Sequence, residues 1–98
     1  MTAAFRVLWW DDALTDLAQL WIDAEDKAAV TNAASKTDLM LVTEPASKGE
    51  DVAEGLRRLE VGPLRVYFQI ADDERIVEIV AVKLGARETR GNGAPQSS

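Results

Sequence analysis

Between Leu59 and Ile70, apolar and polar side chains alternate on either side of Gly62-Pro63, and a period of two is the signature of paired half-buried strands. Leu59 and Val61 alternate with Arg58 and Glu60. After the turn, Leu64, Val66, Phe68 and Ile70 share one face, while Arg65, Tyr67 and Gln69 share the other. Proline at the second turn position is not the favoured hairpin sequence, which leaves a longer connection open. With a two-residue turn the register is fixed: Glu60 stands opposite Arg65, and Arg58 opposite Tyr67.

The segments before the hairpin have a different rhythm. Phe5-Arg6-Val7-Leu8-Trp9-Trp10 is rich in β-branched and aromatic residues and reads as a strand. Asp11-Asp12 supplies helix N-cap chemistry, and Ala13, Leu14, Leu17, Leu20, Trp21 and Ala24 then recur at helical spacing. Asp26 is placed to cap a second helix running to about Thr43, with Val30, Ala33 or Ala34, Thr37, Met40 and Leu41 as its stripe and Pro45 beyond its end. Residues 45–55 are small and polar and read as a surface loop. A turn at Asp72-Asp73 leads into Arg75–Leu84, which is apolar on both faces except at Glu78 and so belongs inside a sheet.

These elements predict an α+β fold, β-α-α-β-β-β, with a helical hairpin packed on a mainly antiparallel sheet. The domain spans residues 1–84, packed from Phe5 onward; residues 85–98, rich in Gly, Ser, Pro and Gln, form a tail expected to be disordered. The far face of the sheet carries Arg58, Glu60, Arg65, Tyr67 and Gln69 and has no element left to cover it.

Composition removes several chemistries. The chain has no cysteine and no histidine, so a thiolate nucleophile, histidine base catalysis and an ordinary zinc site are excluded. No apolar run approaches the roughly 20 residues of a membrane span, and the first residues lack the pattern of a signal peptide. Together with the absence of cysteine, this reads as a cytoplasmic protein with no membrane partner. The net charge of −6 is uneven: residues 1–60 carry 6 basic and 12 acidic side chains, residues 61–98 carry 5 of each. An acidic balance argues against broad non-specific binding of nucleic acid, though a local basic patch remains compatible with it.

Trp9, Trp10 and Trp21 read chiefly as core residues, except that Trp9 and Trp10 are consecutive on a strand and must point to opposite faces. Asp11, Asp12 and Asp16 are accounted for by helix capping and a solvated face, so neither a metal nor another cofactor is expected. Arg58, Arg65 and Tyr67 are the candidate catalytic residues. Two guanidiniums and a phenol on one open face can hold a phosphate and stabilise the charge that grows during 2′-hydroxyl attack. The same residues also fit a plain cross-strand ion pair on a solvated face.

Phe-Arg-Val-Leu-Trp at the start, Asp-Asp-Ala-Leu-Thr-Asp-Leu entering the first helix, and Arg-Arg-Leu-Glu-Val-Gly-Pro-Leu-Arg-Val-Tyr-Phe-Gln-Ile on the hairpin together resemble the RelE/ParE toxin superfamily over residues 5–84. The resemblance implies one half of a bacterial type II toxin–antitoxin, or plasmid stabilisation, pair. RelE-like members are endoribonucleases that cleave mRNA on the ribosome, whereas ParE-like members inhibit DNA gyrase. Arg65 falls on the family's arginine after the turn and Arg58 on a basic position of the preceding strand; Arg57, Lys83 and Arg87 are the further candidates for substrate binding. The implied partners are a cognate antitoxin and either ribosome-bound mRNA or gyrase, with a homodimer and a toxin–antitoxin hetero-oligomer both open. The chain departs from the RelE pattern at Leu56, where a lysine is usual, near Gly85, where an arginine is usual, and in having Tyr67 as its only tyrosine. These departures leave the usual RelE nuclease set incomplete, and a non-catalytic binding or scaffold domain stands as the alternative.

Overall fold

The computed structural model describes residues 4–85. Its elements are β1 (Arg6–Trp9), α1 (Asp11–Asp23), α2 (Lys27–Val42), β2 (Glu50–Ala53), β3 (Leu56–Val61), β4 (Leu64–Ala71) and β5 (Ile76–Leu84), with 3-10 turns at Pro45–Ser47 and Asp72–Glu74. The five strands form one sheet in the order β1-β5-β4-β3-β2. β1 runs parallel to β5, and every other pair is antiparallel. α1 packs on β5, and α2 on β1, β3 and β4. The fold is therefore the expected α+β layer, with one strand more than the sequence suggested. Among the described residues no helix is long and apolar enough to cross a membrane.

The hairpin forms with the shortest connection. Val61 pairs with Leu64, so Gly62-Pro63 is a two-residue turn. Gly62 has φ +56°, while Pro63 is not among the positive-φ residues. Positive then negative φ is the pattern of a type II′ turn, whose second position suits the fixed negative φ of proline. The longer loop that proline seemed to invite is not needed.

The extra strand is β2, inside the stretch expected to be loop. Glu-Asp-Val-Ala has little intrinsic strand preference, but Glu50 lies opposite Arg58 and Asp51 opposite Arg57, and these opposite-charge pairs hold it to the sheet. Gly49 immediately precedes the strand at φ +69°, where a Cβ would lie 2.3 Å from the Arg58 carbonyl oxygen. Gly49→Ala is therefore expected to destabilise the domain by about 2 kcal/mol or more. Thermal unfolding should register this as a melting-point drop of roughly 10 °C; an unchanged melting point would contradict the close approach.

Helix ends follow backbone chemistry closely. Asp26 accepts from the Ala29 N–H at 3.1 Å and caps α2 as expected. Asp11 and Asp12 do not cap α1: the N-cap is Trp10, and both carboxylates sit within the first turn at the positive end of the helix dipole. Each C-terminus is closed by a lysine from the next segment. Lys27 Nζ donates to the carbonyls of Trp21, Ile22 and Ala24 at 3.0, 3.0 and 3.2 Å, and Lys48 Nζ to those of Met40 and Thr43 at 3.0 and 2.7 Å.

The core lies between sheet and helices. Leu64, Val66, Phe68, Val77, Ile79 and Val82 meet Ala13, Val30, Ala33 and Leu41. β5 keeps two apolar faces for an additional reason. Its register with β4 shifts between the pairs Tyr67–Ala81 and Phe68–Ile79, which leaves Val80 as an extra residue. The bulge reverses the alternation, so Val77 and Ile79 before it and Val82 after it all reach the core. Of residues 85–98, read as a tail, only Gly85 is described; it is buried and donates to the Pro63 carbonyl at 2.8 Å, which extends the packed end by one residue. The remainder of that stretch lies outside the described residues.

Candidate target-binding face

Strand alternation and the hairpin register bring Arg58, Arg65 and Tyr67 onto the sheet face away from the helices. Arg58 pairs with Tyr67 and Glu60 with Arg65, and Lys83 of β5 lies directly across from Arg65. All three predicted central residues are half-buried at this surface, while Lys83 extends into solvent.

The two arginines at the centre of this face have carboxylate partners. Arg58 is bonded to Glu50 of β2, and Arg65 Nε donates to Glu60 Oε2 at 3.1 Å. The hydrogen bond that Arg58 donates to the Glu50 carboxylate holds its guanidinium above the ordinary pKa, with a smaller contribution from Tyr67. Lys83 Nζ comes to 4.0 Å from Asp16 Oδ2 and has a side chain 60% exposed. Gln69 Nε2 donates to Glu78 Oε1 at 2.8 Å. Arg58 and Arg65 are thus held by Glu50 and Glu60, and Glu78 also lies on this side, while Lys83 and Arg6, which alternates with core-facing Val7, are its exposed cations.

Arg57 does not join the group. It lies opposite Phe68 on the helix side of β3, and its guanidinium donates to the Lys48 carbonyl at 3.0 and 3.1 Å, to the Gly49 carbonyl at 3.1 Å and to Asp51 at 2.6 Å. Its evident work is to fasten the segment before β2. Arg87, also a candidate, lies outside the described residues.

Sequence reasoning missed three participants. Glu50 was hidden because its strand was. Asp16 is not a bystander on a solvated face: its Oδ2 accepts the Val82 N–H at 3.2 Å, beyond the end of β1, so α1 continues the cover of the β5 edge. The third is an apolar groove of about 650 Å³ between α1 and α2, lined by Leu14, Leu17, Trp21, Ile22, Val30 and Ala34 among others. Trp21, expected on a buried stripe, is 43% exposed there, and its neighbour Ile22 is 59% exposed. Trp9 stays half-buried at the margin, donating its indole N–H to Asp38 at 2.8 Å. Among the described residues no group of three or more acidic side chains is arranged to hold a metal ion.

Residues 7–89 match the family model described as the ParE toxin of the type II toxin–antitoxin system parDE. The chain belongs to this family. It is the toxin component of a type II toxin–antitoxin system, as the resemblance implied. Solved structures share the fold at low identity. The toxin covers 88% of its own length and 97% of a chain of the RelBE2 toxin–antitoxin complex from Mycobacterium tuberculosis, at 20% identity and a TM-score of 0.73. For the chromosomal ParDE system of P. aeruginosa the figures are 82%, 95%, 13% and 0.65, and for the RelE–RelB complex of Pyrococcus horikoshii OT3 they are 85%, 97%, 21% and 0.61. Among curated protein sequences, none matches the toxin significantly.

Proposed function

We propose that this toxin arrests growth by binding DNA gyrase rather than by cutting mRNA. The observation that carries this reading is the pairing of Arg58 with Glu50 and Arg65 with Glu60. A ribonuclease of this fold needs cations left available to the scissile phosphate and a proton donor and acceptor beside them. Here the guanidiniums already hold carboxylates, there is no histidine, and Tyr67 is the only tyrosine. A face whose central arginines are already neutralised by carboxylates beside a half-buried phenol suits a protein partner better than a polyanion. The action is accordingly placed inside the cell, where gyrase works.

A cognate antitoxin silences the toxin by laying an amphipathic helix in the α1–α2 groove, which offers the continuous apolar surface such a helix requires. The net charge of −6 favours basic flanks on that helix.

Inducing the toxin with and without the neighbouring antitoxin gene, followed by supercoiling assays on purified gyrase and primer extension on cellular mRNA, tests both halves. Expected are arrest relieved by the antitoxin, inhibited supercoiling and intact mRNA. Arg65→Ala is expected to weaken inhibition roughly tenfold through loss of a contact at the face. Cleaved mRNA, with cleavage lost in Tyr67→Phe, would reverse the reading in favour of a nuclease. An abundant folded toxin without any arrest would leave a binding domain only.

A further inference from the structure

β1 ends in a way that adds an aromatic residue to the open face. Val7 and Trp9 pack toward the core. Trp10 is still extended, with φ −66° and ψ 154°, and its N–H continues the ladder to the Ile79 carbonyl at 2.9 Å. Its side chain therefore falls on the side opposite Trp9, and it is 44% exposed. The Val80 bulge then restores Ala81 to this face, where it pairs with Tyr67, which in turn pairs with Arg58. Trp10, which continues the register to Val80, then the Val80–Ala81 bulge, Tyr67 and Arg58 make a row across four neighbouring segments of sheet, with small apolar side chains between indole and phenol.

We infer that this row is where the toxin grips its protein target, with Trp10 as the anchor. The inference rests on the protein-target reading above and names the surface it uses. Three grounds support a protein occupant. Trp, Tyr and Arg are the residue types that most often dominate protein–protein binding energy. The row is apolar at its centre and bordered by the Arg58–Glu50 and Arg65–Glu60 pairs, the centre-and-rim layout of a protein interface. The surface is also continuous with the candidate face and lies on the side of the sheet away from the α1–α2 groove, so target and antitoxin contacts are separable by substitution.

The test uses the full-length toxin and its Trp10→Ala, Trp10→Phe and Ala81→Arg variants. The readouts are the concentration needed to halve supercoiling of relaxed plasmid by gyrase with ATP, growth arrest on induction, and affinity for the antitoxin. Trp10→Ala and Ala81→Arg are expected to raise the half-inhibitory concentration roughly thirtyfold, Trp10→Phe to recover most of the loss, and antitoxin affinity to stay within about threefold. Inhibition and arrest within about threefold of wild type in both Trp10→Ala and Ala81→Arg would overturn the inference. If Trp10→Ala also loses the antitoxin, its defect is one of folding, and Ala81→Arg, which adds bulk at a half-buried surface position, decides. If the wild type arrests growth without touching gyrase, the gyrase reading fails by itself, and the ratio of arrest between wild type and variants still decides the surface.

Discussion

Replacing Phe68 with alanine is expected to cost about 3–5 kcal/mol and to leave the toxin largely unfolded at growth temperature. Phe68 is fully buried, the largest of the side chains with essentially no exposure, and it lies opposite Ile79 at the register shift between β4 and β5. Its ring therefore fills the point where the sheet changes its alternation, and neither strand can slide to close the space. A domain of this size has a total stability of only about 5–15 kcal/mol, so one such cavity takes a large share of it. Urea unfolding of Phe68→Ala beside wild type measures the difference directly. A loss below about 1 kcal/mol would mean that the core collapses around the site and that the packing at the bulge is looser than described.

The second large effect concerns binding. Trp21→Ala is expected to weaken the antitoxin complex by roughly thirtyfold to a thousandfold, because an exposed tryptophan in an apolar groove is the usual carrier of interface energy. The same change should cost the isolated toxin little. Trp21 is 43% exposed, and its intramolecular contact of note is Lys27 Nζ at 5.0 Å over the ring, worth about 0.5–1 kcal/mol. Lys27 keeps its three carbonyl partners without the indole. Calorimetric titration together with thermal unfolding separates the two quantities. An affinity within threefold of wild type would place the antitoxin elsewhere on the toxin.

The parts of the fold that could be read from sequence are those where one residue class repeats at a fixed period. The alternation from Leu59 to Ile70 set both the hairpin and its register, and with it the meeting of Arg58, Arg65 and Tyr67 on one face. Asp26 and the stripe from Val30 to Leu41 marked the second helix for the same reason. β2 could not be read, because Glu50 and Asp51 become strand residues only through partners on β3. The bulge at Val80 was equally hidden: a run of apolar residues looks the same whether it faces two layers or skips a step. Arg57 shows a signal that was present and underused, since a neighbour of Arg58 on a strand must face the other way. Trp21 reads as a core residue because a stripe of helical spacing says which residues share a face, not how wide the covering layer is.

The acidic character of β2 has a consequence for a toxin that must sometimes exist without its antitoxin. β2 is the outermost strand on its side of the sheet, and its exposed residues begin with Glu50 and Asp51. An open strand edge is a template on which other chains can add and grow into aggregates, and charges placed along it make each addition costly. The register irregularity between Asp51 and Ala53 breaks the template further. Once released, the toxin thus carries its own deterrent against polymerising before it reaches a target.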